Sequence, residues 1–455
     1  MTRRDASLPL GRALCEADGE TASEWIREID LNKTEFKRLL KVGLGRAIVY
    51  LQAHDAMPYQ DIILEACLHN WAFDRQCENN RAQYMFDIIQ ITPEVEFYRQ
   101  SILSALKNNI DGDREPQLYD LAKLFAQSGD AEARAAMYDH FIANVEGDHF
   151  DGLDLIDLDG LEGFLFVANA IGESILPDEV FWEDESLLED VEKRFGIEAV
   201  SKAAAQASKT NPRAESFVDA VLKKRLGKNE RSQHTRPDPT GLSYVELKPQ
   251  IFKFSYKALV QWGKETDETE LNQAAVDLLR ETDERWLRSA LLLFYERPFP
   301  LDCERLIALT GHDEYTLSKR AFMVLGNVRD ARIREFALKI MKSNEPKGDA
   351  VGLLVKNFQE GDHALVEAFL PRLLDENERH VAGSDIQEFY AAHPNPESEV
   401  RALLTLYEYG PCTNCRKDFV KRLMELNALP DWVSKECQYD ADVYIRALVM
   451  QENGT

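Results

Sequence analysis

The chain has 455 residues and a formal net charge of -26, from 54 basic and 80 acidic side chains. Hydrophobic residues make up 44% of it, enough for a continuous core, and no run approaches the ~18–20 apolar residues of a membrane-crossing helix. A helical membrane protein is excluded on that ground, and an acidic surface that repels phosphates argues against nucleic-acid binding and favours solubility or basic partners. The 7 cysteines are odd in number and spread over the whole length, which fits a reducing compartment and no disulfide framework. Arg3 and Arg4 are followed by no sustained apolar core, so the expectation is a cytoplasmic chain without a secretory signal.

In chain order, Thr21–Leu31 predicts a first helix, and Thr34 stands where a cap for the next is needed. Phe36, Leu39, Leu40, Val42, Leu44, Ile48 and Leu51 then line one longer helix, with Gly43 and Gly45 allowing close packing or a kink. Ile62, Ile63, Ala66 and Cys67 continue the pattern after a turn. Cys67, His69 and Cys77 invite a metal reading, but residues two apart on a helix point to different faces, and the adjacent Trp71 and Phe73 favour packing. Helix pairs follow over 84–91 and 93–106, then 118–126 and 131–145.

Residues 146–195 carry 16 acidic and 2 basic side chains. Within them Asp148, Asp151, Asp154, Asp157, Asp159 and Glu162 are the candidate contact for a basic partner. Asp157, Asp159 and Gly160 imitate part of a calcium loop, but Leu155 and Phe166 occupy its first and last ligand positions, so no metal is expected. The apolar residues from Leu153 to Val167 predict an extended or turn-rich entry to an apolar helix. A basic island over 222–236, with 6 basic and 1 acidic side chains, pairs with this block inside the molecule or meets a partner. Residues 228–243 are polar, contain Pro237, Pro239 and Gly241, and read as an exposed linker. They divide the chain into an N-terminal helical repeat region, 1–227, and a C-terminal one, 244–455.

The clearest pattern is Ser318–Met341. Ala321, Val324, Leu325 and Val328 share one helical face, and Ile333, Phe336, Ala337, Ile340 and Met341 share the next, with Asp330 placed to cap the second helix. Each helix is too short to be stable alone in water and must stack on neighbours. Further periodic stretches lie at 286–295, 303–309, 351–358, 364–374, 386–391, 400–409, 415–426 and 439–450. No β-alternation over several strands is visible, so the fold class is all-α, and pairs spaced about 30–45 residues apart suit a helical repeat array. The run of apolar–Leu–Gly, Asp330, Arg332, Arg334 and an apolar helix resembles a HEAT-type repeat of the short kind. Tyr439–Leu448 resembles the second half of another, and Arg288–Tyr295 a first helix. The resemblance implies an irregular α-solenoid of stacked antiparallel helix pairs whose extended surface grips proteins, with Asp330, Arg332 and Arg334 serving repeat stacking.

Cys412 and Cys415 form a C-x-x-C at a helix start, where amide dipoles and the nearby Arg416 and Lys417 favour a thiolate. They are candidate reactive thiols or half of a zinc site. A structural zinc needs four ligands, Cys437 is the other cysteine near in sequence, and no histidine shares the segment, so packing is the simpler reading. No P-loop, nucleophile elbow or HExxH helix occurs, and no cofactor is expected. The function these features favour is a non-catalytic protein-binding scaffold. Two alternatives stand beside it: an acidic immunity or inhibitor protein that covers one basic enzyme, and a HEAT-like DNA glycosylase, which would need a local basic face with an aromatic pocket.

Overall fold

The computed structural model describes residues 31–453 apart from 80, 109–114, 146–150, 173–179, 181, 210–212 and 231–236. Among the described residues every regular element is an α-helix or a short 3-10 turn, with no strand, and no helix is long and apolar enough to cross a membrane. The chain divides into two compact units, one of 26–233 with 439–441, the other of 1–25, 234–438 and 442–455.

The first unit holds α1 (Lys33–Val42), α2 (Arg46–Leu51), α3 (Gln60–Leu68), α4 (Ala82–Ile91), α5 (Val95–Lys107), α6 (Glu115–Gln127), α7 (Ala131–Asn144), α8 (Asp151–Asp159), α9 (Leu161–Ile171), α10 (Trp182–Phe195), α11 (Ile197–Ala207) and α12 (Arg213–Glu230). Along most of it a helix packs on the next helix and on the next but one. The second unit holds α13 (Tyr244–Leu247), a 3-10 turn (Lys248–Lys253), α14 (Tyr256–Glu265), α15 (Glu268–Arg280), α16 (Glu284–Leu291), α17 (Glu304–Leu309), α18 (Tyr315–Gly326), α19 (Ala331–Lys342), α20 (Ala350–Val355), α21 (Asp362–Phe369), α22 (Glu376–Ala392), α23 (Pro396–Tyr409), α24 (Thr413–Glu425), α25 (Asp431–Cys437) and α26 (Val443–Asn453). Here the even-numbered helices from α14 to α26 form one row, each packed on the next.

Local chemistry accounts for the helix ends. Asp330 accepts the Arg332 N–H at the start of α19, as its position predicts, and Asp130, Asp267, Asp283 and Asp375 do the same for their helices. Four expectations change. The predicted helix over 36–51 is two helices, because Gly43 adopts φ 76° and its N–H closes the end of α1 on Leu39 and Leu40. A Cβ there would also run into Arg81. Asn32, not Thr34, caps α1 by accepting the Glu35 N–H. The stretch 153–167 is not extended: it forms most of α8 and the start of α9, which meet at Gly160 with φ 59°, and α8 buries Leu155 and Ile156. Residues 228–230, expected as linker, continue α12, while 231–236 and the helix predicted over 21–30 lie outside the described residues.

Polar side chains link helices at a recurring sequence separation. Lys37 reaches Glu65 at 2.7 Å, Arg99 reaches Asp130 at 3.1 Å, and Lys123 reaches Asp157 at 2.7 Å. In the second unit Lys248 reaches Asp277 at 2.8 Å, Lys319 reaches Asp349 at 2.5 Å, Arg334 reaches Asp362 at 2.5 Å and Arg401 reaches Glu367 at 2.7 Å. All these partners are 28 to 34 residues apart. Arg332 ties back to Asp302 at 2.6 Å while Arg334 ties forward to Asp362, so this pair of arginines joins α19 to the segments on either side. Asn357 completes the joint, accepting the Asp330 N–H at 2.9 Å and donating to Val328 O at 3.0 Å.

Burial grades these links. Asp362 is 2% exposed, whereas Arg401 is half-exposed. Arg334→Ala strands a buried carboxylate and lowers the unfolding free energy by about 3 kcal/mol in a urea titration. Arg401→Ala costs less than about 1 kcal/mol. Equal losses would show that burial does not set the strength of the links.

A second carboxylate, Asp385 on α22, accepts the Gly352 N–H at 3.2 Å, and burial together with the neighbouring Asp349 pushes its pKa up to about 8. Because the folded value lies above the ordinary one, the protonated form stabilises the fold fully at acid pH, and that contribution is lost as pH rises through about 8. Asp385→Asn keeps an acceptor for Gly352 without the titration. The melting-temperature gap between variant and wild type should therefore widen from about pH 5 to about pH 9. A gap independent of pH would place the proton elsewhere.

Candidate functional site

The acidic residues of α8 face basic residues of three neighbouring helices. Lys123 of α6 sits between Asp154 and Asp157, 2.7 Å from the latter, and Arg194 of α10 pairs with Asp157 and, at 2.6 Å, with Asp190. Arg134 of α7 reaches Asp159 at 2.7 Å, and the Tyr138 hydroxyl donates to the same carboxylate. Burial tends to raise the pKa of Asp157, but the hydrogen bonds from Lys123 and Arg194 hold it below the usual carboxylate value. Asp151 lies 3.7 Å from His140 across α7, and Glu162 is exposed on α9. Asp148 lies outside the described residues. The basic island behaves likewise: Lys224 lies 3.3 Å from Glu185 and Arg225 lies 2.8 Å from Glu192. Much of this charge thus serves contacts between helices of the unit.

Cys412 holds the residue position just before α24 and is buried, while Cys415, one turn on, is half-buried. His380 of α22 joins them, and the ring nitrogen and the two sulfurs lie within 4.8 Å of one another. No other group of three metal-type donors comes together among the described residues. The approach of α22 to α24 depends on Gly383, one turn beyond His380: a Cβ there would stand 2.9 Å from the Phe419 ring. His380 lies outside the segment around the C-x-x-C, about thirty residues upstream of Cys412. Cys437 is elsewhere, buried with its sulfur 3.9 Å from the Tyr407 hydroxyl. Cys67 is also buried, which raises its thiol pKa, and Gln117 donates to the carbonyls of Ala66 and Cys67 at 2.8 Å, which suits a structural role for that stretch.

A groove of about 510 Å³ opens between α13 with its 3-10 turn, α15 and α16. Tyr244, Val245, Lys248, Pro249 and Phe252 form one wall, Gln273 and Asp277 the second, and Trp286 the third. It exists because the capping box of Ser243 and Glu246 starts a single helical turn, which Pro249 then carries into the 3-10 turn. Asp277 fastens the walls together, accepting from the Tyr244 hydroxyl at 2.9 Å and from Lys248 at 2.8 Å. Despite partial burial, those two hydrogen bonds keep the pKa of Asp277 below its ordinary value. Val245 is 65% exposed and Phe252 43%, and the Arg285 guanidinium lies 4.4 Å over the Phe252 ring. Trp286 is buried, Lys248 lies over its ring, and its buried indole N–H has no hydrogen-bond acceptor among the described residues. This cluster carries no recognised motif; its trace in the sequence is a run of aromatic and β-branched residues directly after a Pro- and Gly-containing segment.

No protein-family model matches the chain, and no curated protein matches it. A solved structure of an engineered protein aligns over 97% of this chain and 98% of its own length at 13% identity, with a TM-score of 0.14, a likeness too weak to carry an argument.

The pairs on α8 yield a direct test. Asp157→Lys sets a third cation beside Lys123 and Arg194. It should destabilise the unit by about 1 kcal/mol in low salt, less in high salt, read as a salt-dependent shift of the urea midpoint. A loss that ignores salt would mean that the pairing is incidental.

Proposed function

We propose that this chain is a non-catalytic protein-binding scaffold made of short, HEAT-like antiparallel helix pairs, and that the groove beside Trp286 receives a peptide segment of its partner. The observation that carries this reading is the groove rim, where Val245 and Phe252 hold apolar surface in water beside an aromatic wall. Fully burying such a side chain is worth about 1.5–3 kcal/mol, and because both are already partly covered, covering the rest contributes about 1 kcal/mol each toward seating a short segment with one large apolar side chain. With a net charge of -26, the chain favours basic residues flanking the apolar anchor, since they speed encounter and disfavour acidic competitors. The recurrence of polar links at 28 to 34 residues supports the repeat reading, because it is the spacing that stacked helix pairs of this length would impose.

A random peptide library displayed on phage tests the proposal against the whole chain. Peptides with a bulky apolar residue next to lysine or arginine should be enriched, and Val245→Asp and Phe252→Asp should each weaken them by about tenfold or more, about 1.4 kcal/mol. A library that yields nothing, or peptides that bind both variants as well as the wild type, would remove the groove as the site.

A further inference from the structure

We propose that His380, Cys412 and Cys415 bind one zinc ion, with the fourth coordination position open to solvent. The donors are two sulfurs and an imidazole nitrogen, a set that selects zinc over calcium or magnesium, and no carboxylate belongs to the group. They converge from two helices that the Gly383–Phe419 contact holds close, so the site is assembled by the fold and not by the C-x-x-C alone. With Zn–S near 2.3 Å and Zn–N near 2.0 Å, tetrahedral ligands stand roughly 3.5–3.8 Å apart. The donors now lie within 4.8 Å of one another, and side-chain rotation of about an ångström brings them onto the ion.

The start of α24 adds a favourable field, since the positive end of its helix dipole lies beside Cys412 at the cap and Cys415 in the first turn. Binding displaces the two thiol protons to solvent, and the charges of Zn²⁺ and two thiolates then cancel, which suits the buried position of Cys412. Cys415 and His380 are half-buried, so the ion has an entry path and its fourth position faces water. No fourth donor belongs to the group among the described residues, which distinguishes this centre from a closed structural site. The bound ion clips α22 to the amino end of α24 and lies on other helices than the peptide groove, so its failure would leave that groove untouched.

The test uses the full chain, reduced, loaded with zinc and passed through a desalting column. Elemental analysis should find about one zinc per chain. Cobalt in place of zinc should give thiolate-to-metal charge-transfer absorption and the intense visible bands of four-coordinate cobalt. The double variant Cys412→Ser, Cys415→Ser should lose both the stoichiometric zinc and the charge-transfer band. His380→Ala should keep that band and bind at least about tenfold more weakly. Circular dichroism checks that the variants are folded, and the wild-type cobalt spectrum reports thiolate ligation without any variant. A reduced chain that retains no zinc and gives no cobalt bands overturns the proposal, as does a double variant that binds like the wild type.

Discussion

The structure depends on one constraint: its helices are too short to stand alone, so each must be held by its neighbours, the next helix in the chain and the one about thirty residues away. Helices of four to eighteen residues are marginal in water whatever their composition, and here their apolar stripes meet across such neighbours. The stripe of Ile333, Ala337 and Met341 on α19 is three residues wide, too little to hold a helix by burial alone. The polar links supply direction. Arg332 reaching back and Arg334 reaching forward from one helix fix both its rotation and its height against its neighbours, which non-directional apolar contact cannot do.

That constraint explains what was legible beforehand and what was not. Helical periodicity is a local property, so the all-α class and the two helices around Gly326 could be read from spacing, and Asp330 was recognisable because a cap acts within three residues. Local reading failed where one residue had two meanings. Gly43 fits a kink and a left-handed terminus equally well in sequence, and its positive φ decides for the terminus. The alternation of Leu and Asp over 153–159 looks turn-rich, yet Lys123, Arg134 and Arg194, all distant in sequence, make a helix with an acidic face tolerable there. His380 was invisible for the same reason, since its partners become neighbours only after α22 and α24 have packed.

Surface charge follows the same rule. Asp154, Asp157 and Asp159 stand out in sequence as a patch waiting for a partner, and in the structure their carboxylates meet cations of adjacent helices. The groove beside Trp286 is the reverse case: it has little charge signature and is defined by shape, with exposed apolar atoms fastened over a Tyr–Asp–Lys contact.

The aspartates that begin so many helices have a further bearing on what acidity means in such a molecule. A chain cut into many short helices has many amino ends, and at Asp130, Asp267, Asp283, Asp330 and Asp375 an end is met by a carboxylate. Part of the negative balance is thus a by-product of how finely the backbone is segmented. Exchanging such residues for asparagine or serine would move the isoelectric point toward neutrality while leaving the architecture in place. In proteins of this build, the net charge counts helix starts as well as the surface that meets a partner.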